Sequence, residues 1–148
     1  MGTRNPRIFI KIENLIISVV PDGPGAQLVE FSELRSDSTS IKGEIKFPIE
    51  TDIPNSEAFD RILDRSGTSC RFCHSPEVQD SSITVGQAFL SKAFRPRDGT
   101  YVSPETLEQI WKLCDPEDEP HRCEILDGLF GQAQVRPFDF PSQMPTFF

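Results

Sequence analysis

From Arg7 to Glu50 apolar and polar residues alternate with a period of two, the spacing of strands whose faces meet different surroundings. Ile8, Ile10 and Ile12 are interleaved with Phe9 and Lys11. Leu15-Ile16-Ile17-Ser18-Val19-Val20 follows, rich in branched side chains, and Pro21-Asp22-Gly23-Pro24-Gly25 marks a turn. Leu28-Val29-Glu30-Phe31 reads as a further strand. After the polar run Arg35 to Ser40, Ile41, Gly43, Ile45 and Phe47 alternate with Lys42, Glu44 and Lys46. The expectation for residues 1–50 is a small antiparallel sheet of three or four short strands that serves packing, docking or a partner surface.

Beyond a connector from Pro48 to Pro54 the spacing becomes helical. Asn55 or Ser56 can cap a helix with Glu57 in its first turn, Phe59, Ile62 and Leu63 on one face and Gly67 as its stop. Val85, Phe89 and Phe94 form an apolar stripe for a helix near Thr84 to Phe94, ended by Pro96. Ser103-Pro104-Glu105-Thr106 is a helix start, with a capping serine and proline at the first position. Leu107, Ile110, Trp111 and Cys114 share its face. Pro120 opens a last helix with Ile125, Leu126, Leu129 and Phe130 as its apolar side and Gly131 as its stop. Val135 to Phe148 reads as extended. The expected fold class is α+β: a small amino-terminal antiparallel β region, residues 1–50, followed by a mostly α-helical domain, residues 51–148.

Charge narrows the partners. Fifteen Lys and Arg against 23 Asp and Glu give a net charge of −8, and no basic cluster stands out. Nucleic acid and anionic membrane surfaces are therefore poor partners, whereas a basic protein is a suitable one. No stretch approaches the ~20 apolar residues of a membrane span.

The chemistry gathers at Cys70-Arg71-Phe72-Cys73-His74. Two thiols three positions apart with an imidazole directly after them form the C-x-x-C-H attachment sequence of a c-type haem. Each thiol adds across a vinyl group to make a thioether, and the imidazole lies under the iron. The same spacing serves zinc knuckles and redox dithiols. Two cysteines remain, Cys114 and Cys123, flanking an acidic, proline-containing loop. A disulfide between them is the favoured reading and carries an oxidising compartment with it; two free thiols or two more zinc ligands are the alternatives. In a zinc reading Cys70, Cys73, Cys114 and Cys123 form a four-thiolate site, with His74 or His121 replacing one, and the protein is a non-catalytic binding module. On the other side of a haem, Met144 offers a thioether in Met144-Pro145-Thr146-Phe147, His121 is the rival distal ligand, and Lys92 is a weaker one. Arg95 and Arg97 are candidates for pairing with haem propionates.

The run Cys70 to His74 after a helix ending at Gly67, two or three further helices and then Met144-Pro145-Thr146-Phe147 resemble a class I c-type cytochrome over residues 55–148. The resemblance implies one covalent haem c, with Cys70 and Cys73 as thioether cysteines, His74 as proximal and Met144 as distal ligand. It implies an electron carrier that serves a redox protein, on its own or as a domain of a larger assembly, rather than an enzyme. Two histidines leave little for a nucleophilic triad and no phosphate loop is present. An open distal side would suit gas sensing or peroxidase-like chemistry, but no distal acid–base pair is visible. Haem attachment implies a periplasmic or otherwise extracytoplasmic location. No export signal is visible, so Met1-Gly2-Thr3 is expected to stand where one has been removed.

Overall fold

The computed structural model of the chain describes residues 5–132 and 134–147; Met1-Gly2-Thr3 and Phe148 lie outside the described residues. Its frame is a six-stranded antiparallel sheet in the order β1-β2-β3-β4-β8-β7. The strands are β1 (Ile8–Ile12), β2 (Leu15–Val19), β3 (Leu28–Ser36), β4 (Thr39–Lys46), β7 (Val78–Gln79) and β8 (Phe89–Lys92). Between β4 and β7 lie a single helical turn α1 (Glu57–Asp60), a two-stranded hairpin of β5 (Leu63–Asp64) and β6 (Gly67–Thr68), and a second single turn α2 (Arg71–His74). The chain then adds two longer helices, α3 (Pro104–Lys112) and α4 (Pro120–Phe130).

Alternation along β1 to β4 sorts their side chains onto two faces, because directly opposed residues of an antiparallel pair share a face. On one face the register aligns Ile41 of β4 with Glu33 and with Leu90 of β8, and Gly43 with Phe31. That face is covered at its centre by α1. A Cβ on Gly43 would lie 2.9 Å from the Ala58 carbonyl oxygen and 3.1 Å from the Ala58 Cβ. The other face carries Ile16 and Ser18 of β2, Ser32 of β3, Ser40 and Lys42 of β4 and Ser91 of β8, and Ile16, Ser18, Ser40, Lys42 and Ser91 are all buried. The carboxyl-terminal segment crosses this side, where Phe140 meets Phe9 edge-on at 5.5 Å and Phe138 at 5.0 Å.

The helices α3 and α4 pack against each other. Ser103 Oγ accepts the Thr106 N–H at 3.2 Å, the cap expected of that residue, and Pro104 opens α3. Cys114 and Cys123 are joined as a disulfide, Trp111 stacks on Phe130 at 5.9 Å, and Leu126 is buried.

A mostly helical carboxyl-terminal domain resembling a class I cytochrome is not what the chain builds, and the α+β division expected on that basis is corrected. The dominant element is antiparallel sheet, and the helices are few and short. Two stretches with helical spacing do not form the helices expected of them, the first being helical only over α1. After α1 the chain turns through Arg65 at φ 52° into the β5–β6 hairpin. Asp64-Arg65-Ser66-Gly67 is turn chemistry that three apolar residues could not outweigh. Gly67 therefore stops no helix: it is buried, and a Cβ there would meet Glu77 Oε2 at 2.9 Å. The stretch Thr84 to Phe94 becomes β8, because β4 presents a ladder that Phe89–Lys92 can complete, with Ser91 opposite Ser40 and Leu90 opposite Ile41. Pairing with a sheet outweighed a loose stripe of three residues.

The close approach of α1 to β4 makes Gly43 sensitive in a way other glycines are not. Gly43→Ala is expected to lower the unfolding free energy by about 1–3 kcal/mol, since backbone at Ala58 must give way. Gly128→Ala in α4, where the added Cβ meets nothing within 4 Å, is expected to be neutral or to stabilise by up to about 1 kcal/mol. Urea unfolding of the two variants checks the contrast.

Candidate functional site

The buried polar face of the sheet supports the cysteine–histidine turn. At its centre is Lys42, whose Nζ donates to Ser40 Oγ at 2.8 Å, Ser91 Oγ at 2.8 Å and the Lys92 carbonyl oxygen at 2.9 Å. Ser32 Oγ in turn donates to Ser40 Oγ at 2.9 Å. The acceptors come from β4 and β8, and Ser32 of β3 donates to one of them, so the register of three strands holds the ammonium.

Thr68, at the end of the β5–β6 hairpin, is the next layer. Its N–H donates to Glu77 Oε2 at 2.8 Å, and its hydroxyl donates to the other carboxylate oxygen. The Cys70 N–H donates to Thr68 Oγ1 at 3.2 Å. Glu77 thereby pins the start of the turn. The Cys73 and His74 N–H groups then both donate to the Cys70 carbonyl, at 3.1 and 2.9 Å. One turn of backbone thus carries both thiols and the imidazole. Arg71 holds its outer side through Asp64 at 3.1 Å. Cys70 is half-buried and Cys73 exposed, both as free thiols. Phe72 is 78% exposed.

His74 Nδ1 lies 2.7 Å from the Lys92 carbonyl oxygen. A carbonyl only accepts, so Nδ1 carries the proton and the lone pair belongs to Nε2. Burial pushes the His74 pKa below its usual value, and the Lys42 charge adds to the effect against the opposing pull of the Lys92 carbonyl and Glu77. The ring is therefore a neutral imidazole with one nitrogen anchored and the other available. Phe94 and Phe147 pack against it at 5.2 and 6.0 Å and meet each other edge-on at 5.6 Å. Burial raises the Cys70 thiol, opposed by the Thr68 bond and by Lys42. Burial also lowers Lys42 to about 8, against the pull of Cys70 and Glu77.

Phe147 reaches His74 because the tail is stitched onto the chain beyond β8. Arg95 N–H donates to the Pro145 carbonyl at 2.9 Å, Phe147 N–H donates to the Arg95 carbonyl at 3.1 Å, and Arg95 bridges Thr146 in parallel. Arg95 Nε donates to the Met144 carbonyl at 3.1 Å, and Met144 is only 2% exposed. The site residues expected from sequence thus fall into two groups. Cys70, Cys73 and His74 share one turn, and of the Met144–Phe147 step it is Phe147 that packs against that turn, at His74. His121 stands exposed in the first turn of α4, within the unit that holds the Cys114–Cys123 disulfide. The Arg95 guanidinium is engaged by Asp98 and the Met144 carbonyl, so it is not a free partner for propionates.

Sequence reasoning missed Lys42, Ser40, Ser91, Thr68 and Glu77. In the sequence Lys42 is simply one of the polar residues that alternate with Ile41, Gly43, Ile45 and Phe47. Its one sequence signal is that Ser32, Ser40 and Ser91 are small hydroxyl residues that a strand pairing could place around it.

Among the described residues no group of three or more His, Cys, Asp and Glu side chains is placed to hold a metal ion. No helix among them is long and apolar enough to cross a membrane. Comparison with family models, with characterised proteins and with solved structures returns no match.

The burial of Lys42 has a signed consequence for stability. In the unfolded chain the amine keeps its proton to about 10.5, whereas in the folded protein it loses it near 8. Below pH 8 folding bears the full cost of burying the charge. From pH 8 to 10.5 the unfolded chain binds more protons, so stability rises and the cost, at most about 3 kcal/mol, is relieved. Urea unfolding of wild type and Lys42→Met is expected to show the wild type gaining on the variant across that window and the difference flat below it.

Proposed function

We propose that the protein is a monohaem c-type electron-transfer protein whose attachment turn sits on a sheet rather than in a helical cytochrome. The observation that carries the reading is the packing of Phe147, the end of the Met144–Phe147 step, against His74 of the Cys70–His74 turn at 6.0 Å. The donor chemistry fits at the attachment side. Two free thiols lie on one turn, and a neutral imidazole has its Nδ1 proton held by a carbonyl and its Nε2 lone pair available. Cys70 and Cys73 would form the thioethers, His74 would be the proximal ligand, and Met144 would be the distal one. When bound, the haem supplies a one-electron iron couple. The chain orients the imidazole through Lys92, shields it with Phe94 and Phe147, and keeps water from Met144 by burial.

With His74 and Met144 both holding the group, it would have no place for a substrate, and electron transfer to a redox protein is the function this reading supports. The net charge of −8 suits a basic partner face. The disulfide supports an extracytoplasmic location. It also engages Cys114 and Cys123, which leaves a four-thiolate zinc site without half of its ligands.

The test is an optical spectrum of protein made with haem-maturation machinery, oxidised and then dithionite-reduced. Sharp reduced α and β bands that remain with the denatured polypeptide are expected, together with a weak red charge-transfer band of thioether ligation in the oxidised form. Met144→Ala should abolish that weak band and leave the covalent haem in place. A colourless protein holding stoichiometric zinc would overturn the reading in favour of a metal-stabilised binding module.

A further inference from the structure

The Lys92 carbonyl oxygen is shared. His74 Nδ1 approaches it at 2.7 Å and Lys42 Nζ at 2.9 Å. A carbonyl has two lone pairs, and here both are taken, one by an imidazole N–H and one by a cation. The cation cannot swing away. An ammonium has three protons, and the other two are committed to Ser40 and Ser91 inside the sheet. The groups facing Lys42 are Cys70 on the turn, Glu77 beyond it and His74 itself.

We propose that Lys42 is a positioning residue for His74 that sets how strongly the imidazole donates to haem iron, an inference that rests on the haem reading above. A carbonyl that accepts a ligand's distal N–H makes that imidazole a better donor. Lys42 draws on the same oxygen, so the Nδ1–H bond is weakened and His74 is a poorer donor than it would be with the carbonyl to itself. A poorer donor, together with a fixed positive charge nearby, favours the reduced iron. Lys42 therefore raises the reduction potential without touching the haem.

The experiment has one arm with haem and one without. In the haem protein at pH 7, poised at the wild-type midpoint, Lys42→Met is expected to lower the reduced-to-oxidised ratio by about threefold or more. Ser32→Ala disturbs the same polar layer but leaves the ammonium and its three acceptors, and should hold the ratio near the wild-type value. An unchanged or raised ratio in Lys42→Met, or an equal fall in Ser32→Ala, overturns the proposal. The second arm uses haem-free protein with Cys70→Ser and Cys73→Ser. Nuclear magnetic resonance should show through-bond coupling from both Lys42 Nζ and His74 Nδ1 to the Lys92 carbonyl carbon. Adding Lys42→Met should move the His74 Nδ1 proton downfield. Absence of either coupling refutes the shared carbonyl, even if Lys42→Met does not fold. Failure of haem to attach would refute the haem reading alone and leave this arm to decide the geometry.

Discussion

An ammonium taken out of water must find an acceptor for each of its protons, or folding bears a penalty of several kcal/mol. Lys42 imposes that condition on the middle of the sheet. Its acceptors are Ser40 on its own strand, Ser91 on the neighbouring strand and the carbonyl of Lys92. A one-residue slip between β4 and β8 would turn Ser91 to the opposite face and put Leu90 or Lys92 in its place. The charge thus specifies register at a place where the β4–β8 ladder runs for only three residue pairs. Because the Lys92 carbonyl also receives His74, the same condition fixes the imidazole relative to the sheet.

The two faces of β4 divide the labour. On one face Gly43 itself has no side chain, and the backbone of α1 comes within contact distance of it. On the Lys42 side a layer of hydroxyls and one amine replaces the usual hydrocarbon. Such a layer gives up hydrophobic stabilisation and gains direction, since hydrogen bonds have geometry and dispersion contacts have little. That trade suits the support of a chemically committed turn. The cost falls on Lys42 and Cys70, whose proton affinities are both displaced by burial.

The amino-terminal strands were legible because their alternation is strong and their turns are marked: Ile8 to Lys46 forms four strands close to where the pattern places them. The helices α3 and α4 were legible from Ser103, Pro104 and Pro120. The middle of the chain was not. Residues 55–94 carry weak local signals, and their structure is decided by partners far away in sequence. Phe89–Lys92 is a strand because Thr39–Ile41 is waiting, and Thr68 ends a hairpin because Glu77 reaches back to it. Of the candidate site, Cys70, Cys73 and His74 announce themselves by spacing. The neighbourhood that governs them does not, because a lysine in an alternating strand looks like any exposed lysine until its facing residues are known.

The stitching of residues 144–147 onto Arg95 also sets an order of events. A chain emerging from its amino end presents the Cys70–His74 turn and β8 well before Met144 and Phe147 exist. At that stage the flank of the imidazole against which Phe147 will pack lies open. Once Arg95 captures Pro145 and Phe147, Phe147 closes over the ring. The side of the imidazole that Phe147 covers is thus completed last, by the residues furthest along the chain, while Cys73 stays exposed throughout.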